Sequence, residues 1–316
     1  MDLLSDAVAA ARTGVPVSYL VRCQPAWGRR YQATPGAGFH VVLDGAAWLI
    51  DPPAAPVALS VGDVVLFPHG HEHGMADHPD TPLHPMPHTA EDDAPAGRRT
   101  VEVGPDRDHT GGIATVMLCG MYRFARERPH PLLRDLPHVM HLPARPGRHH
   151  ALRATIDLLA AEIDTVRPGG DAAVTALLDL LLVHVLRVWF DDNSNVGWGA
   201  ALADPVAGTA LRAMHADPGH PWTVEELGTV SGMSRAAFAR RFKRLVGQGP
   251  LGYLAWWRMT TAAALLTNSD APLSAIGKQV GYTSEFAFAN AFRREYGTAP
   301  GRYRTRKSTR PSTPTD

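Results

Sequence analysis

Arginine side chains recur at matching positions in two stretches of the C-terminal third of the chain. The stretches are FARRFKRLVGQGPLGY, residues 238–253, and FANAFRREYGTAPGRY, residues 288–303. Both follow the frame F-x3-F-x4-G-x2-P-x2-Y, and Arg244 and Arg294 occupy equivalent places in it. Guanidinium groups bind phosphate oxygens through paired hydrogen bonds. A basic pattern that occurs twice predicts a surface that binds a polyanion at two points.

The distribution of charge supports the same interpretation. The net charge of the chain is zero, but residues 205–310 contain 15 Lys and Arg against 6 Asp and Glu, whereas the rest contains 16 against 25. A basic C-terminal domain beside an acidic N-terminal one favours a polyanion partner for the former. A solvated basic face without a partner is the alternative.

Each copy of the frame has the features of two helices joined by a tight turn. Thr223 and Glu226 have the spacing of a capping box at the start of the first helix. Ser234 can cap the second helix, as Ser284 can in the other copy. Both second helices place phenylalanines inside and arginines outside. The sequence therefore predicts two helix-turn-helix motifs, because an ordinary αα-hairpin has no need of a basic second helix in both copies.

A single helix is predicted between the two motifs. Residues 251–267, LGYLAWWRMTTAAALLT, favour a helix of roughly 25 Å at 1.5 Å per residue. Adjacent major grooves on one face of B-DNA are about 34 Å apart. A connector of this length would hold the two second helices near successive grooves, with some bending of the DNA.

Residues 206–304 resemble the DNA-binding domain of AraC/XylS-type transcription regulators. The most specific part is GYTSEFAFANAFRREYGTAPGRYR, residues 281–304. The resemblance implies two recognition helices that enter successive major grooves. Carried over by position, the residues that meet bases are Arg235, Ala236 and Arg240 in the first helix and Glu285, Phe286 and Asn290 in the second. Lys243, Arg244, Arg293 and Arg294 are expected at phosphates, and the alternative is that they only keep the surface soluble.

Two of these residues have side chains suited to reading bases directly. Arg240 is the expected reader of guanine, since arginine bonds both major-groove acceptors of that base, and Asn290 is the expected reader of adenine. Glu285 is unusual on a DNA-binding face, although a carboxylate can accept a hydrogen bond from cytosine. Ala236 is small, so the first helix is expected to read few bases.

The N-terminal half is predicted to be β structure followed by helices. Short apolar runs separated by turn residues predict strands at 17–21, 39–43, 48–50 and 64–67. Residues 75–110 are predicted to form a long mobile loop, and 113–118 a further strand. Helical spacing follows at 152–166 and 172–190, and 191–199 are predicted to be a linker. The helix at 172–190 is apolar almost all round, so it is a candidate for a dimer or interdomain contact, or for packing within one subunit.

Residues 62–73, GDVVLFPHGHEH, match the pattern G-x5-P-x-G-x2-H. This resembles the second motif of cupin barrels, in which a turn directs a histidine, here His73, into the barrel. The first cupin motif is incomplete around GFHVVLDG: His40 remains, and Gly38 stands where a glutamate is expected. The resemblance covers residues 15 to about 145 and implies a sensor barrel, which in relatives binds a small molecule and assists dimerisation.

A metal site formed by His40, His73 and Cys119 is predicted to bind zinc or another divalent ion, with His69 and His71 as substitute ligands. The alternative is an exposed histidine-rich turn and a buried cysteine that behaves as a small hydrophobe. Cys23 is expected to be structural.

The predicted fold class is multidomain: an N-terminal all-β cupin-like barrel with trailing helices, and a C-terminal all-α domain with two helix-turn-helix motifs. The predicted parts are the cupin-like domain at 1–145, a helical linker or dimerisation segment at 146–203, the DNA-binding domain at 204–306 and a polar tail at 307–316. Two cysteines cannot form a disulfide framework, and the N-terminus lacks the basic residues of a signal peptide. The cytoplasm is therefore the expected compartment.

The favoured function is a sequence-specific transcription regulator whose cupin-like domain senses an unknown small molecule or a metal. The expected partners are double-stranded DNA, RNA polymerase and a second copy in a homodimer, without a membrane. The alternative is a metal-dependent cupin enzyme, an oxygenase or isomerase, fused to a DNA-binding domain; two histidines and a carboxylate around open positions would favour it. A third possibility is a constitutive DNA-binding protein whose barrel only dimerises.

Overall fold

The computed structural model describes residues 2–86, 100–104, 114–124, 130–145, 147–165, 167–195 and 197–308. Its strands are β1 Val17–Cys23, β2 Gly28–Tyr31, β3 Gly36–Asp44, β4 Ala46–Ile50, β5 Val57–Ser60, β6 Val64–Phe67, β7 His73–Ala76, β8 His84–Pro85, β9 Thr100–Val103, β10 Thr115–Arg123 and β11 Met140–Leu142. Its helices are α1 Leu3–Ala11, α2 Pro131–Arg134, α3 His150–Asp164, α4 Gly170–Asp192, α5 Gly197–Ala203, α6 Pro205–Ala216, α7 Val224–Val230, α8 Arg235–Val246, α9 Pro250–Asn268, α10 Leu273–Gln279, α11 Glu285–Tyr296 and α12 Pro300–Ser308.

The chain divides into two compact units. Residues 11–192 form the β unit, and residues 1–10 together with 193–316 form the helical unit. The helices α3 and α4 thus belong with the strands, and the first residues of the chain belong with the C-terminal helices. The predicted limits at 145 and 203 stay predictions of where independently folding parts begin.

Two sheets make up the β unit. The larger has the strand order β11-β6-β3-β10-β1-β9, and the smaller has the order β5-β4-β7-β2-β8. Nearly all neighbours are antiparallel, and β9 and β8 join the edges in parallel with β1 and β2. The buried side chains of both sheets form one apolar cluster that includes Trp27, Phe67 and Met75. A core shared by two sheets is the arrangement expected of a cupin-like β domain.

The four apolar runs predicted as strands at 17–21, 39–43, 48–50 and 64–67 all lie inside strands. The mobile loop predicted at 75–110 is wrong in part, because β7, β8 and β9 occupy sections of it. The abundance of prolines and histidines gave no indication of the short edge strands β8 and β9, whose pairing partners lie far away in the sequence. Residues 87–99 and 105–110 of that prediction, and the start of the strand predicted at 113–118, lie outside the described residues.

Helices α3 and α4 pack against each other in the β unit. Of the helical spacing predicted at 152–166, Leu152, Ile156, Leu159 and Ile163 are buried on α3 as expected, and residue 166 lies outside the described residues. On α4, Leu178, Leu181 and other apolar side chains are buried, and the Tyr122 hydroxyl donates a 2.9 Å hydrogen bond to the Leu178 carbonyl oxygen. Packing within one chain therefore accounts for much of the apolar character of α4.

By length and composition alone, α4 could cross a membrane. Among the described residues it is the single helix of this kind, and 44% of its most apolar 18-residue window is buried in the protein. An apolar helix that is part of a packed core passes the same test, so its composition does not require a membrane.

The helical unit begins with a helix that the sequence reading did not identify. In α1, Leu3, Leu4, Ala7 and Val8 are buried. Asp6 is buried too, and its Oδ2 lies 2.9 Å from Nδ1 of His215, whose Nε2 lies 2.7 Å from the Tyr253 hydroxyl. The two contacts form a continuous hydrogen-bonded chain from Asp6 through the His215 ring to Tyr253. This chain of polar groups fixes the first residues of the protein on the helical unit.

The predicted linker at 191–199 is also wrong in part. α4 continues to Asp192, and α5 begins at Gly197. Trp198 is buried within α5, and its ring lies 5.9 Å from that of Tyr253. The segment DDNSNVGWG is mostly polar, and its composition did not predict that the Trp198 side chain would be buried and anchor it.

Candidate nucleic-acid interface

The first helix-turn-helix is formed by α7 and α8. The predicted capping box is present: the Thr223 Oγ1 accepts from the Glu226 amide at 3.1 Å, and the Glu226 carboxylate accepts from the Thr223 amide at 3.4 Å. The turn between the helices passes through Gly232, which has φ of +72°, a conformation that glycine adopts without strain. Ser234 stands at the N-cap of α8 but makes no side-chain capping bond, so that detail of the prediction is wrong.

The second motif, formed by α10 and α11, repeats this construction. Ser284 caps α11 as predicted, with its hydroxyl accepting from the Ala287 amide at 3.1 Å. Gly281 has φ of +84° in the turn. Pro272 occupies the N-cap of α10. The two motifs thus share a turn at a glycine with positive φ, although their helix caps differ.

The inner faces are closely packed. Phe238 and Phe242 of α8 and Phe288 and Phe292 of α11 are completely buried. In the second motif, a side chain at Gly277 would lie 3.1 Å from Cβ of Phe288, closer than ordinary contact. Because Gly277 has no side chain, α11 can approach α10 closely at this point. With the phenylalanines fixed inside, helix geometry directs the residues between them outward.

On α8, the outward face consists of the residues expected at DNA. Arg235, Ala236, Arg240 and Arg244 are all exposed. Ala236, Arg240 and Arg244 lie on the side of the helix away from the buried Phe238, and Arg235 is exposed at its first residue. The structure therefore brings together the first four predicted interface residues on an accessible, positively charged surface.

The sequence predicts that the arginines of α8 all face outward, and Arg241 does not follow that prediction. It pairs instead with Asp204, its Nε lying 3.0 Å from Oδ2 of that residue. Asp204 also caps α6 by accepting from the Val206 and Ala207 amides. Burial alone would raise the pKa of Asp204, but the hydrogen bonds from Arg241 and from these amides outweigh it and hold the pKa below its usual value. Arg241 therefore contributes to folding within the helical unit.

On α11, the predicted interface combines charge with one exposed aromatic ring. Glu285, Arg293 and Arg294 are exposed, and Phe286 has 78% of its surface accessible. Asn290 is half-buried, and its Oδ1 accepts from the Arg293 guanidinium at 3.0 Å. A phenylalanine this exposed contributes nothing to the core, so its surface is available for contact with another molecule.

The connector α9 spans Pro250–Asn268 and is the helix predicted between the motifs. Its 19 residues give a length of about 28 Å. Tyr253, Trp256, Trp257 and Met259 are buried along it, and it packs against α8, α10, α11 and α12. The connector is therefore part of the core of the helical unit and resists bending.

In the β unit, the three predicted metal ligands lie together. His40 Nδ1 is 3.0 Å from Cys119 Sγ, and His40 Nε2 is 2.7 Å from His73 Nε2. The register of β3 and β10 places His40 directly opposite Cys119. Burial lowers the pKa of His40 well below its ordinary value and that of His73 to about 4, and it raises the pKa of the Cys119 thiol. All three groups are therefore neutral at physiological pH.

The geometry of this group is that of a hydrogen-bonded chain. His40 stands in the middle and directs one ring nitrogen at Cys119 and the other at His73, whereas a metal ion takes one nitrogen from each histidine. In this arrangement the nitrogens of His40 and His73 and the sulfur of Cys119 do not face a common point that a metal ion could occupy. The named substitutes have other partners: His69 Nε2 contacts the Leu136 carbonyl oxygen at 3.0 Å. Metal binding by His40, His73 and Cys119 stays a prediction.

Comparison with known proteins agrees with both parts of this description. The Cupin family matches residues 2–191, and a helix-turn-helix domain family matches residues 227–306. An AraC-like transcription regulator of Streptomyces antibioticus is 33% identical over 307 residues, which cover 96% of this chain and 98% of that protein. The chain belongs to the AraC-type transcription regulators.

Other members show a similar extent of match. The HTH-type transcriptional regulator AlkR of Acinetobacter baylyi is 30% identical over 96% of this chain and 99% of its own length. Among solved structures, the DNA-binding domain of AdpA, in complex with a target DNA, is 34% identical over 34% of this chain and 98% of that chain, with a TM-score of 0.32. The match to the helix-turn-helix family lies entirely within the helical unit, which is the DNA-binding part of this AraC-type regulator.

Proposed function

We propose that this protein is a sequence-specific regulator that places α8 and α11 in successive major grooves of one duplex. The observation that carries the proposal is the pair of matching outward faces on two rigidly packed helices, separated by a connector of about 28 Å. That length is close to the 34 Å between grooves, and a moderate bend in the DNA closes the difference.

The exposed residues divide between reading bases and binding phosphates. Arg240 donates to the O6 and N7 atoms of guanine, and Asn290 bonds adenine. Phe286 packs against the methyl group of thymine, a contact for which an exposed aromatic side chain is suited. Arg244 and Arg293 bind phosphates and fix the register without reading sequence.

A matched pair of variants tests this division. Arg240→Ala should cost about 1–3 kcal/mol at one base pair and relax the preference there. Arg244→Ala should weaken binding to all duplexes by a similar factor. The measurement is the affinity of each variant for a set of single-base-pair operator variants obtained by selection. If Arg240→Ala weakens binding to every duplex equally, Arg240 is a phosphate contact and the assignment is wrong.

The β unit is proposed to be the sensor. A cavity of about 420 Å³ lies beside the start of α3, with Arg145, Arg148 and Arg153 among its lining residues. Arg145 and Arg148 are paired with Asp192 at 3.8 and 3.3 Å. These cations favour an anionic small molecule, which would compete with Asp192 for the two arginines. The effector must favour one arrangement of the protein over another to act as a switch.

We further propose that two copies assemble on a palindromic operator, that the bound regulator contacts RNA polymerase, and that it acts in the cytoplasm. The relatives are named as transcription regulators over almost their full length, which favours this function over a metal-dependent oxygenase or isomerase. The hydrogen-bonded arrangement of His40 with His73 and Cys119 points the same way, because it leaves no ring nitrogen of His40 directed at a substrate.

A further inference from the structure

Three potential metal ligands meet elsewhere in the β unit, in loops at the ends of strands. Asp51 follows β4, His71 lies between β6 and β7, and His138 comes two residues before β11. Each offers one ligand atom, and all of these atoms lie within 4.8 Å of one another. This group, the Asp51 cluster, contains no member of the His40, His73 and Cys119 chain.

Sheet register explains why the three residues converge. Ile50 pairs with Gly74 across β4 and β7, so Asp51 extends toward the loop that carries His71. Met140 pairs with Leu66 across β11 and β6, so the residues before β11 extend along the same loop from its other side. The loop between β6 and β7 passes from the larger sheet to the smaller, and both neighbouring strands direct a ligand toward it.

The contacts within the cluster leave His71 incompletely satisfied. Its Nε2 lies 3.3 Å from Oδ2 of Asp51, but its Nδ1 is buried and has no hydrogen-bond partner among the described residues. A buried polar atom without a partner is unfavourable, so an arrangement in which that nitrogen gains a ligand is stabilised.

His138 completes the group from the solvent side. Its ring stacks on that of His71 with 3.4 Å between the ring centres and 14° between the planes. Lone pairs of parallel rings do not converge on one point, so coordination requires one ring to rotate. His138 is exposed, and its side chain can therefore turn while Asp51 and His71 stay in place.

We infer that Asp51, His71 and His138 bind a divalent transition-metal ion. Two imidazole nitrogens and one carboxylate oxygen are a ligand set of zinc and of other borderline first-row ions, with the remaining position or positions open to water. The site opens to solvent through His138, so an ion can enter without unfolding the barrel. This site goes beyond the proposed function and does not depend on DNA binding.

Zinc binding to the tag-free, full-length protein tests the inference. After treatment with a chelator, the wild type should take up zinc in isothermal titration, and His138→Gln should lose one equivalent or weaken binding at least about tenfold. His78→Gln is the matched control, because His78 is an exposed histidine of the same unit outside the cluster. Circular dichroism verifies that each variant is folded.

A second variant separates this cluster from the other predicted site. Cys119→Ser should retain the zinc that His138→Gln loses, and Co²⁺ bound to the wild type should show no thiolate-to-metal charge-transfer bands. Zinc uptake that survives His138→Gln unchanged, that is lost in Cys119→Ser, or that does not occur in the wild type would overturn the inference. The DNA affinity of the metal-free protein is measured separately, so a failure here leaves the proposed function standing.

Discussion

The dependence of operator binding on salt follows from the outward faces of α8 and α11. Four basic side chains on these helices are exposed and are expected at phosphates: Lys243, Arg244, Arg293 and Arg294. Arg235 and Arg240 are not counted, because they are expected at bases. Arg241 is left out of this set because Asp204 already neutralises it. Each cation that binds a phosphate releases counterions, which contributes about −0.9 to the slope of log K against log salt concentration.

Four contacts give a slope of about −3.6 for each chain bound, so a doubling of the salt concentration should weaken binding roughly 12-fold. The assay is fluorescence anisotropy of a labelled operator over a series of potassium chloride concentrations. Arg244→Gln should make the slope shallower by about one. The control is Arg212→Gln, which removes the same charge from α6, outside both motifs, and should leave the slope unchanged.

Two outcomes would refute this reasoning. A wild-type slope between zero and −1 would mean that the basic faces do not meet phosphates. An equal change of slope in Arg212→Gln and Arg244→Gln would mean that net charge, and not the position of the cation, determines binding. Either result would remove the physical basis for placing α8 and α11 on DNA.

The remaining predictions concern the stability of the helical unit. His215→Ala should lower the free energy of unfolding by about 3–5 kcal/mol, because it removes the side chain that pairs with the buried Asp6 carboxylate; urea denaturation followed by tryptophan fluorescence measures this, and a loss below about 1 kcal/mol would contradict it. The folded pKa of Asp204 is lowered, so its stabilising contribution is present above the unfolded pKa near 3.8 and is lost as pH falls through the folded pKa. Asp204→Asn should therefore be less stable than wild type at about pH 6 and nearly equal to it below the folded pKa, whereas a constant difference would contradict the assignment.

The helix-turn-helix motifs were predictable because their signals are local. The spacing of Thr223 and Glu226 specifies a capping box within four residues, and the paired phenylalanines specify the inner face of each second helix. Once the inner face is known, helix geometry directs Arg240 and its neighbours outward. The strand that carries His40 was predictable for the same reason, since a short apolar run ends at turn residues; the strand predicted at 113–118 stops one residue before Cys119, whereas β10 continues to Arg123.

Features that depend on distant partners were not predictable from the sequence. Asp6 and His215 are 209 residues apart, and nothing in the local pattern of either indicates the other. Arg241 has the same side chain as Arg240 and differs only in lying within reach of Asp204. The edge strands β8 and β9 are short and lie in a proline-rich region, and their pairing becomes apparent only when the sheets are assembled.

Hydroxyl-radical footprinting on a selected operator tests the central claim most directly, because it locates each recognition helix on the duplex. For each bound chain the account predicts two protected windows on one face, about 10 base pairs apart. An Arg293→Gln, Arg294→Gln double variant should weaken the window of α11 and leave the other in place. One window for each chain, or two windows that weaken together in this variant, would contradict the account.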